Sequence, residues 1–232
     1  MKVTVRGLAT LIVSVSIGAC GDPTTSLRQD ARHAPAAPAF DFSATGAVLG
    51  LSGSDFVVDG AGGSFSLGAY TVSFDGNSVC DPTVSTYGAT EWDKNCAVLA
   101  PGKSIKVHAT IARTSSGISV DFTPALRFSP SAKVIISTDV FASFILANQD
   151  YFRTHHNALS AFAILYSPSL GEKGVSDFSV DKSVTTHVDL NTGIVWRRVK
   201  HFSGYSIITG EPCEPSPDNP DCIEVDGDGG KE

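Results

Sequence analysis

A strict alternation of apolar and polar residues is the feature that most constrains this fold. Residues 105–111 read IKVHATI, in which every second side chain is apolar. Successive side chains of a β-strand point to opposite faces of a sheet, so the pattern predicts a strand with one buried face. Further candidate strands lie at residues 70–74, 118–122, 134–137, 162–166, 175–180, 184–189, 194–199 and 205–208. Short strands separated by turn residues predict an all-β fold, an antiparallel β-sandwich.

One apolar stretch does not follow this pattern. Residues 140–152 read VFASFILANQDYF, and their apolar side chains do not settle on one period. A helix of three turns and a strand that runs into a loop both fit the composition, and the strand is slightly favoured. The predicted β-sandwich therefore has room for one short helix.

The beginning of the chain predicts export. Residues 1–19 combine two basic residues, Lys2 and Arg6, with an apolar stretch that is too short to span a bilayer as a stable helix. We interpret them as a signal peptide. The sequence Ile-Gly-Ala-Cys at residues 17–20 resembles the lipobox of bacterial lipoproteins, which implies that Cys20 is acylated and becomes the mature N-terminus. Gly21 stands where an aspartate would imply retention at the inner membrane, so the resemblance favours the outer membrane.

The remaining chain divides into three regions. Residues 20–39 are rich in proline, alanine and polar residues without apolar periodicity, which predicts a disordered tether. Residues 40–210 hold the predicted strands of the β-sandwich. Residues 211–232 contain eight acids, one lysine and four prolines, which predicts an acidic tail that frays at its end. Because no basic surface is expected, nucleic acid is not a predicted partner.

The cysteines support an exported chain. Once Cys20 is assigned to lipid, four cysteines remain, and an even number in an exported protein indicates two disulfides. Three pairings are possible, and proximity in sequence favours Cys80–Cys96 and Cys213–Cys222. A zinc site is the alternative, but these cysteines lack the close CxxC spacing that structural zinc sites use. The sequence therefore predicts no metal and no cofactor.

Three segments resemble a known family when they are taken in order. Residues 62–65 (GGSF) through 72–74 (VSF) resemble the opening of the β-sandwich domain shared by zonula-occludens and netrin-receptor proteins. Residues 126–130 (LRFSP), which lead into 134–136 (VII), resemble its middle. Residues 199–207 (VKHFSGYSI) resemble its final strand. The chain departs from the family in an insertion after residue 140 and in the segment between Cys80 and Cys96.

The resemblance implies one specific chemistry, because some members of that family cut themselves between the Phe and Ser of an HFS sequence. Here the Ser203 hydroxyl would attack the carbonyl of Phe202, and His201 would accept the proton. The reaction needs a strained peptide and a donor for the oxyanion. The alternative is structural: His201 caps a sheet edge, Phe202 fills the core and Ser203 bonds to a neighbouring strand.

A second candidate site lies inside the segment between Cys80 and Cys96. Trp92 and Tyr87 stand close to carboxylates, a combination that suits stacking against a sugar or a peptide. The alternative is that Trp92 packs over the disulfide and the acids are solvated. The function favoured by the sequence is a non-enzymatic interaction or structural module at the cell envelope. Its predicted partner is an envelope protein or a glycan.

Overall fold

A computed structural model describes residues 50–114, 117–167, 170, 184–208 and 223–226. The predicted signal peptide, lipid site Cys20, tether, Cys213–Cys222 pair and strand at 175–180 lie outside these residues. The strands are β1 (Gly50–Asp59), β2 (Gly63–Leu67), β3 (Tyr70–Phe74), β4 (Ser104–Thr114), β5 (Gly117–Arg127), β6 (Val134–Thr138), β7 (Ile164–Ser167), β8 (Thr186–Asp189), β9 (Val195–Arg198), β10 (His201–Ile208) and β11 (Ile223–Asp226). The helices are α1 (Ala142–Ala147), α2 (Gln149–Thr154) and a 3₁₀ helix (His156–Phe162).

The strands form two sheets, which confirms the predicted all-β sandwich. One sheet has the order β1-β4-β5-β10-β7, and all of its neighbours are antiparallel. The other has the order β11-β8-β9-β6-β3-β2 and is antiparallel except between β11 and β8. β10 therefore lies inside its sheet, between β5 and β7.

Aromatic side chains join the two sheets. The ring of Phe202 on β10 stacks on Phe122 of β5, with ring centroids 4.1 Å apart. The same ring meets Phe74, which belongs to β3 of the opposite sheet, at 5.3 Å. Phe202 is fully buried, so it fills the core. Because neighbouring residues on a strand point to opposite faces, His201 and Ser203 lie on the outer face of this sheet.

The ambiguous segment is helical, so the slight preference for a strand was wrong. Phe141 and Ile145, one helical turn apart, are both fully buried, and the ring of Phe141 meets that of Phe162 at 5.1 Å. Asn148 ends α1, where its side-chain amide donates to the carbonyl of Phe144 over 2.8 Å. Helices this short are marginal alone and owe their stability to such burial.

The acidic tail contains a strand where a frayed end was expected. β11 pairs in parallel with β8, and Ile223 is in register with Thr186. The local sequence IEVD alternates apolar and acidic residues, a pattern that is typical of a strand. The sequence-based expectation followed the prolines of the preceding residues and not this short pattern.

Candidate functional site

A loop closed by the Cys80–Cys96 disulfide lies over the outer face of β10. The disulfide confirms the predicted pair, with the two Cα atoms 5.6 Å apart. We call residues 81–95 the disulfide loop. Its last turns are tied to the sheet by Arg127 at the end of β5, whose guanidinium donates to the carbonyls of Glu91 and Lys94, the latter over 2.9 Å. These bonds fix the loop against the sheet at the end of β5.

A charged pair adds a second tie between the loop and β10. The Lys200 ammonium, just before β10, contacts the carboxylate of Asp93 in the disulfide loop. The Lys200 side chain is almost fully buried, whereas that of Asp93 is half exposed. A buried ammonium needs such a partner because an unpaired charge is costly to remove from water. The position of the loop therefore depends on Lys200 as well as on the disulfide.

The start of the disulfide loop is ordered by Asp81. Its carboxylate accepts hydrogen bonds from the Thr83 hydroxyl over 2.6 Å and from the Thr83 backbone N–H over 2.9 Å. These bonds, together with Lys103 at 3.3 Å, hold the pKa of Asp81 below its usual value. The chain therefore leaves the disulfide in a defined turn before it reaches Tyr87.

His201 is enclosed beneath this loop and is 0% exposed. The Trp92 ring stacks on the imidazole, with centroids 3.7 Å apart and an interplanar angle of 18°. Tyr166 on β7 meets the imidazole edge-to-face at 5.0 Å, and Tyr205 on β10 lies at 5.7 Å. Burial, with a smaller contribution from Arg197, lowers the pKa of His201 to about 3. The imidazole is therefore neutral at physiological pH.

Three polar groups converge on the Phe202–Ser203 peptide. The Ser203 hydroxyl lies 3.1 Å from Nδ1 of His201. The Tyr87 hydroxyl donates to the carbonyl oxygen of Phe202 over 3.2 Å and lies 3.3 Å from the same Nδ1. We assign Ser203 as the donor to Nδ1 and Tyr87 as the donor to the carbonyl. This assignment places the imidazole proton on Nε2, which is buried and has no hydrogen-bond partner among the described residues.

The pairing of β10 with β5 is interrupted at Ser203. Phe202 is opposite Leu126 and Gly204 is opposite Asp121, so β5 places several extra residues across from Ser203. The backbone ladder on this side therefore does not continue evenly through the peptide that the three polar groups surround. An interruption of this kind re-aims side chains and is common beside functional sites.

The structure thus brings together the two candidate sites that the sequence suggested separately. His201, Ser203, Tyr87 and Trp92 form one cluster, and His201 lies on an inner strand rather than capping a sheet edge. Trp92 is 7% exposed and packs against His201, so it does not present an open face for a sugar ring.

Sequence reasoning missed the contacts that hold this cluster in place. Neither Arg127 nor Lys200 was identified, although Lys200 directly precedes His201 in the sequence. The sequence did offer one indication of an ion pair: a lysine stands beside the HFS sequence, and the loop closed by cysteines contains acids. Tyr87 was identified only as a residue that stacks against a sugar or a peptide, and its contact with the Phe202 carbonyl was not anticipated.

Among the described residues, no group of three or more His, Cys, Asp or Glu side chains is placed to hold a metal ion. No helix within the described ranges has the length and apolar character needed to cross a membrane. No protein-family profile matches the sequence, and no curated protein or solved structure is significantly similar to the chain.

Proposed function

We propose that this chain is a lipid-anchored protein of the cell envelope whose β-sandwich is an interaction module, not an enzyme for an external substrate. The complete burial of His201 supports the second part of this proposal, that the β-sandwich does not act on an external substrate. A side chain covered by Trp92 and the disulfide loop is closed to a diffusing substrate. The carbonyl group that the neighbouring Tyr87 contacts is that of Phe202, which belongs to the chain itself.

Two features support the location. The Cys80–Cys96 disulfide suits an oxidising compartment outside the cytoplasm. The lipobox-like sequence at Cys20 supplies an anchor, and the partner we propose is a protein or glycan of the envelope. We place the anchor in the outer membrane in preference to the inner one.

The anchor is tested by Cys20→Ser in the full chain. Loss of the acyl chains is expected to move the protein from the membrane fraction to the soluble fraction, while the oxidised Cys80–Cys96 pair and the thermal unfolding midpoint stay unchanged. A Ser52→Ala chain, changed at an unrelated position of β1, is the matched control. A processed Cys20→Ser protein that remains in the membrane fraction would refute the anchor.

We propose self-cleavage between Phe202 and Ser203 as a second function. The geometry at His201 favours it, because a hydroxyl, a base and a carbonyl donor meet at one peptide bond. Ser203 Oγ attacks the Phe202 carbonyl carbon while its proton passes to Nδ1 of His201. The C–N bond then breaks and His201 returns the proton to the Ser203 nitrogen, leaving an ester between Phe202 and Ser203 Oγ. Water hydrolyses this ester to a Phe202 carboxylic acid and the free Ser203 hydroxyl.

Self-cleavage is tested by comparing the full chain with Ser203→Ala. The unchanged chain is expected to yield two polypeptides on a denaturing gel, the smaller beginning at Ser203 by N-terminal sequencing. Ser203→Ala is expected to remain intact because no hydroxyl is available to attack. Intact unchanged protein, or equal cleavage of Ser203→Ala, would rule out the reaction.

A further inference from the structure

We infer that the disulfide loop supplies the oxyanion donor for this cleavage and that the donor is the Tyr87 hydroxyl. The inference rests on the proposed self-cleavage and assigns that reaction a residue from outside the HFS sequence. It makes the cleavage depend on a loop that is remote in sequence, since Tyr87 and Phe202 are 115 positions apart.

The geometry places Tyr87 where the negative charge develops. Its hydroxyl already donates to the Phe202 carbonyl oxygen over 3.2 Å, and attack at the carbonyl carbon leaves the charge on that oxygen. A donor held in place before the reaction stabilises the oxyanion without the cost of reorganising solvent. Although 41% of the Tyr87 residue is exposed, its hydroxyl is directed inward between His201 and Phe202.

The hydroxyl is also in the protonation state that donation requires. Burial raises the pKa of Tyr87 to about 12, so the phenol keeps its proton at physiological pH. The neighbouring Nδ1 of His201 is occupied by the Ser203 hydroxyl in the same proton assignment. Tyr87 and Ser203 therefore have separate tasks: one donates to the oxygen of the carbonyl and the other attacks its carbon.

The loop that holds Tyr87 is fixed at its beginning and near its end. Asp81 and Thr83 order its first turn directly after the disulfide. Arg127 and Lys200 tie the end of the loop to the sheet, and both side chains are buried. Tyr87 lies between these contacts, so the part of the loop that carries its side chain is fixed on both sides. Positioning of this kind is what a preorganised donor requires.

The inference is tested by a pulse-chase measurement of cleavage in the full chain. Tyr87→Phe removes the hydroxyl but keeps the ring against Trp92 and His201. We expect its cleavage to slow by about 10²–10³-fold, the cost of losing one oxyanion donor. Tyr151→Phe, which removes a hydroxyl from α2 outside this cluster, is the matched control and is expected to cleave at the unchanged rate.

The outcomes separate the inference from the proposed function. If Tyr87→Phe cleaves as fast as the unchanged chain while Ser203→Ala stays intact, the inference is wrong and self-cleavage stands. If the unchanged chain is not cleaved, or Ser203→Ala is cleaved equally, self-cleavage and the inference both fail.

A second variant avoids dependence on the folding of Tyr87→Phe. Fluorinated tyrosine, incorporated at position 87, retains the hydroxyl and the size of the ring but is a stronger acid. As a stronger donor it is expected to speed cleavage relative to ordinary tyrosine. An unchanged or slower rate would overturn the role assigned to Tyr87.

Discussion

Acidification from pH 7 to pH 5 is expected to destabilise this fold through His201. The unfolded chain binds a proton on this histidine with a pKa near 6.5, whereas the folded chain does so only near 3. Between these values the unfolded state holds more protons, so the free energy of unfolding falls as the pH falls. The contribution of neutral His201 is complete above about pH 6.5 and is lost progressively toward pH 3. Over the interval from pH 7 to pH 5 the loss is about 2 kcal/mol.

Between pH 7 and pH 5, the effect of His201 on stability can be distinguished from that of the carboxylates. Among the residues that the structure describes, four acidic side chains have lowered pKa values: Asp55, Asp81, Glu91 and Asp189. They begin to lose their stabilising contribution only as the pH approaches their ordinary values of 3.8 to 4.5. Above about pH 5 they remain ionised in both the folded and the unfolded state. These carboxylates therefore contribute little to the change in stability between pH 7 and pH 5.

The assay is urea unfolding followed by tryptophan fluorescence at both pH values. It uses the Ser203→Ala chain, because a chain that cannot cut at this bond can refold and allows an equilibrium measurement. Adding His201→Gln is expected to reduce the loss to under about 0.5 kcal/mol, since no imidazole remains to be protonated at this site. Adding His155→Gln, at the end of α2, is the matched control and is expected to keep the full loss. An equal loss in the His201→Gln chain would refute the assignment.

Two further predictions concern the disulfide loop. Replacing Cys80 and Cys96 together with serine is expected to lower the free energy of unfolding by about 3 kcal/mol, as the chain-entropy account gives for a loop of this size; a change below about 1 kcal/mol in urea would contradict it. Trp92→Ala is expected to open one face of His201 to water and to raise its pKa toward the ordinary value of 6.5, since burial is the main cause of the lowering. An NMR titration measures this directly, and a pKa that stays near 3 would show that Trp92 is not what shields the ring.

Local sequence predicted the strands because their pattern is local. The alternation at residues 105–111 places Val107 and Ala109 in the core, where both are fully buried. Phe202 fills the core, as the structural alternative for the HFS sequence had it, and its neighbour His201 therefore lies on the outer face of the sheet. An outward direction, however, does not establish exposure to solvent.

The burial of His201 was not predictable from its neighbours because its cover comes from elsewhere. Trp92 and Tyr87 reach it from a loop more than 100 positions earlier in the chain. The cysteine count indicated a closed loop between Cys80 and Cys96 but not the surface on which it lies. That surface is determined by Arg127 and Lys200, whose partners are backbone carbonyls and one carboxylate. Contacts of this kind do not produce a periodic pattern of residues in the sequence.

The helices after β6 also could not be predicted from the local pattern of apolar residues. Their apolar residues are spaced for burial against Phe162 and the rest of the core, but the spacing is broken at Asn148, where one helix ends and the next begins. A single period sought across the whole segment therefore fails. The segment is helical because each short piece finds its own buried contacts.

The intact mass of the protein extracted from membranes of expressing cells tests the central claim most directly. The account predicts two polypeptides, residues 20–202 beginning at acylated Cys20 and residues 203–232 beginning at the free amine of Ser203. Apart from the lipid, their masses should sum to that of the chain from Cys20 onward plus one water. A mass without acyl chains on Cys20 would contradict the lipid anchor. A single polypeptide that continues unbroken through Phe202 and Ser203 would contradict the second function, self-cleavage beside His201.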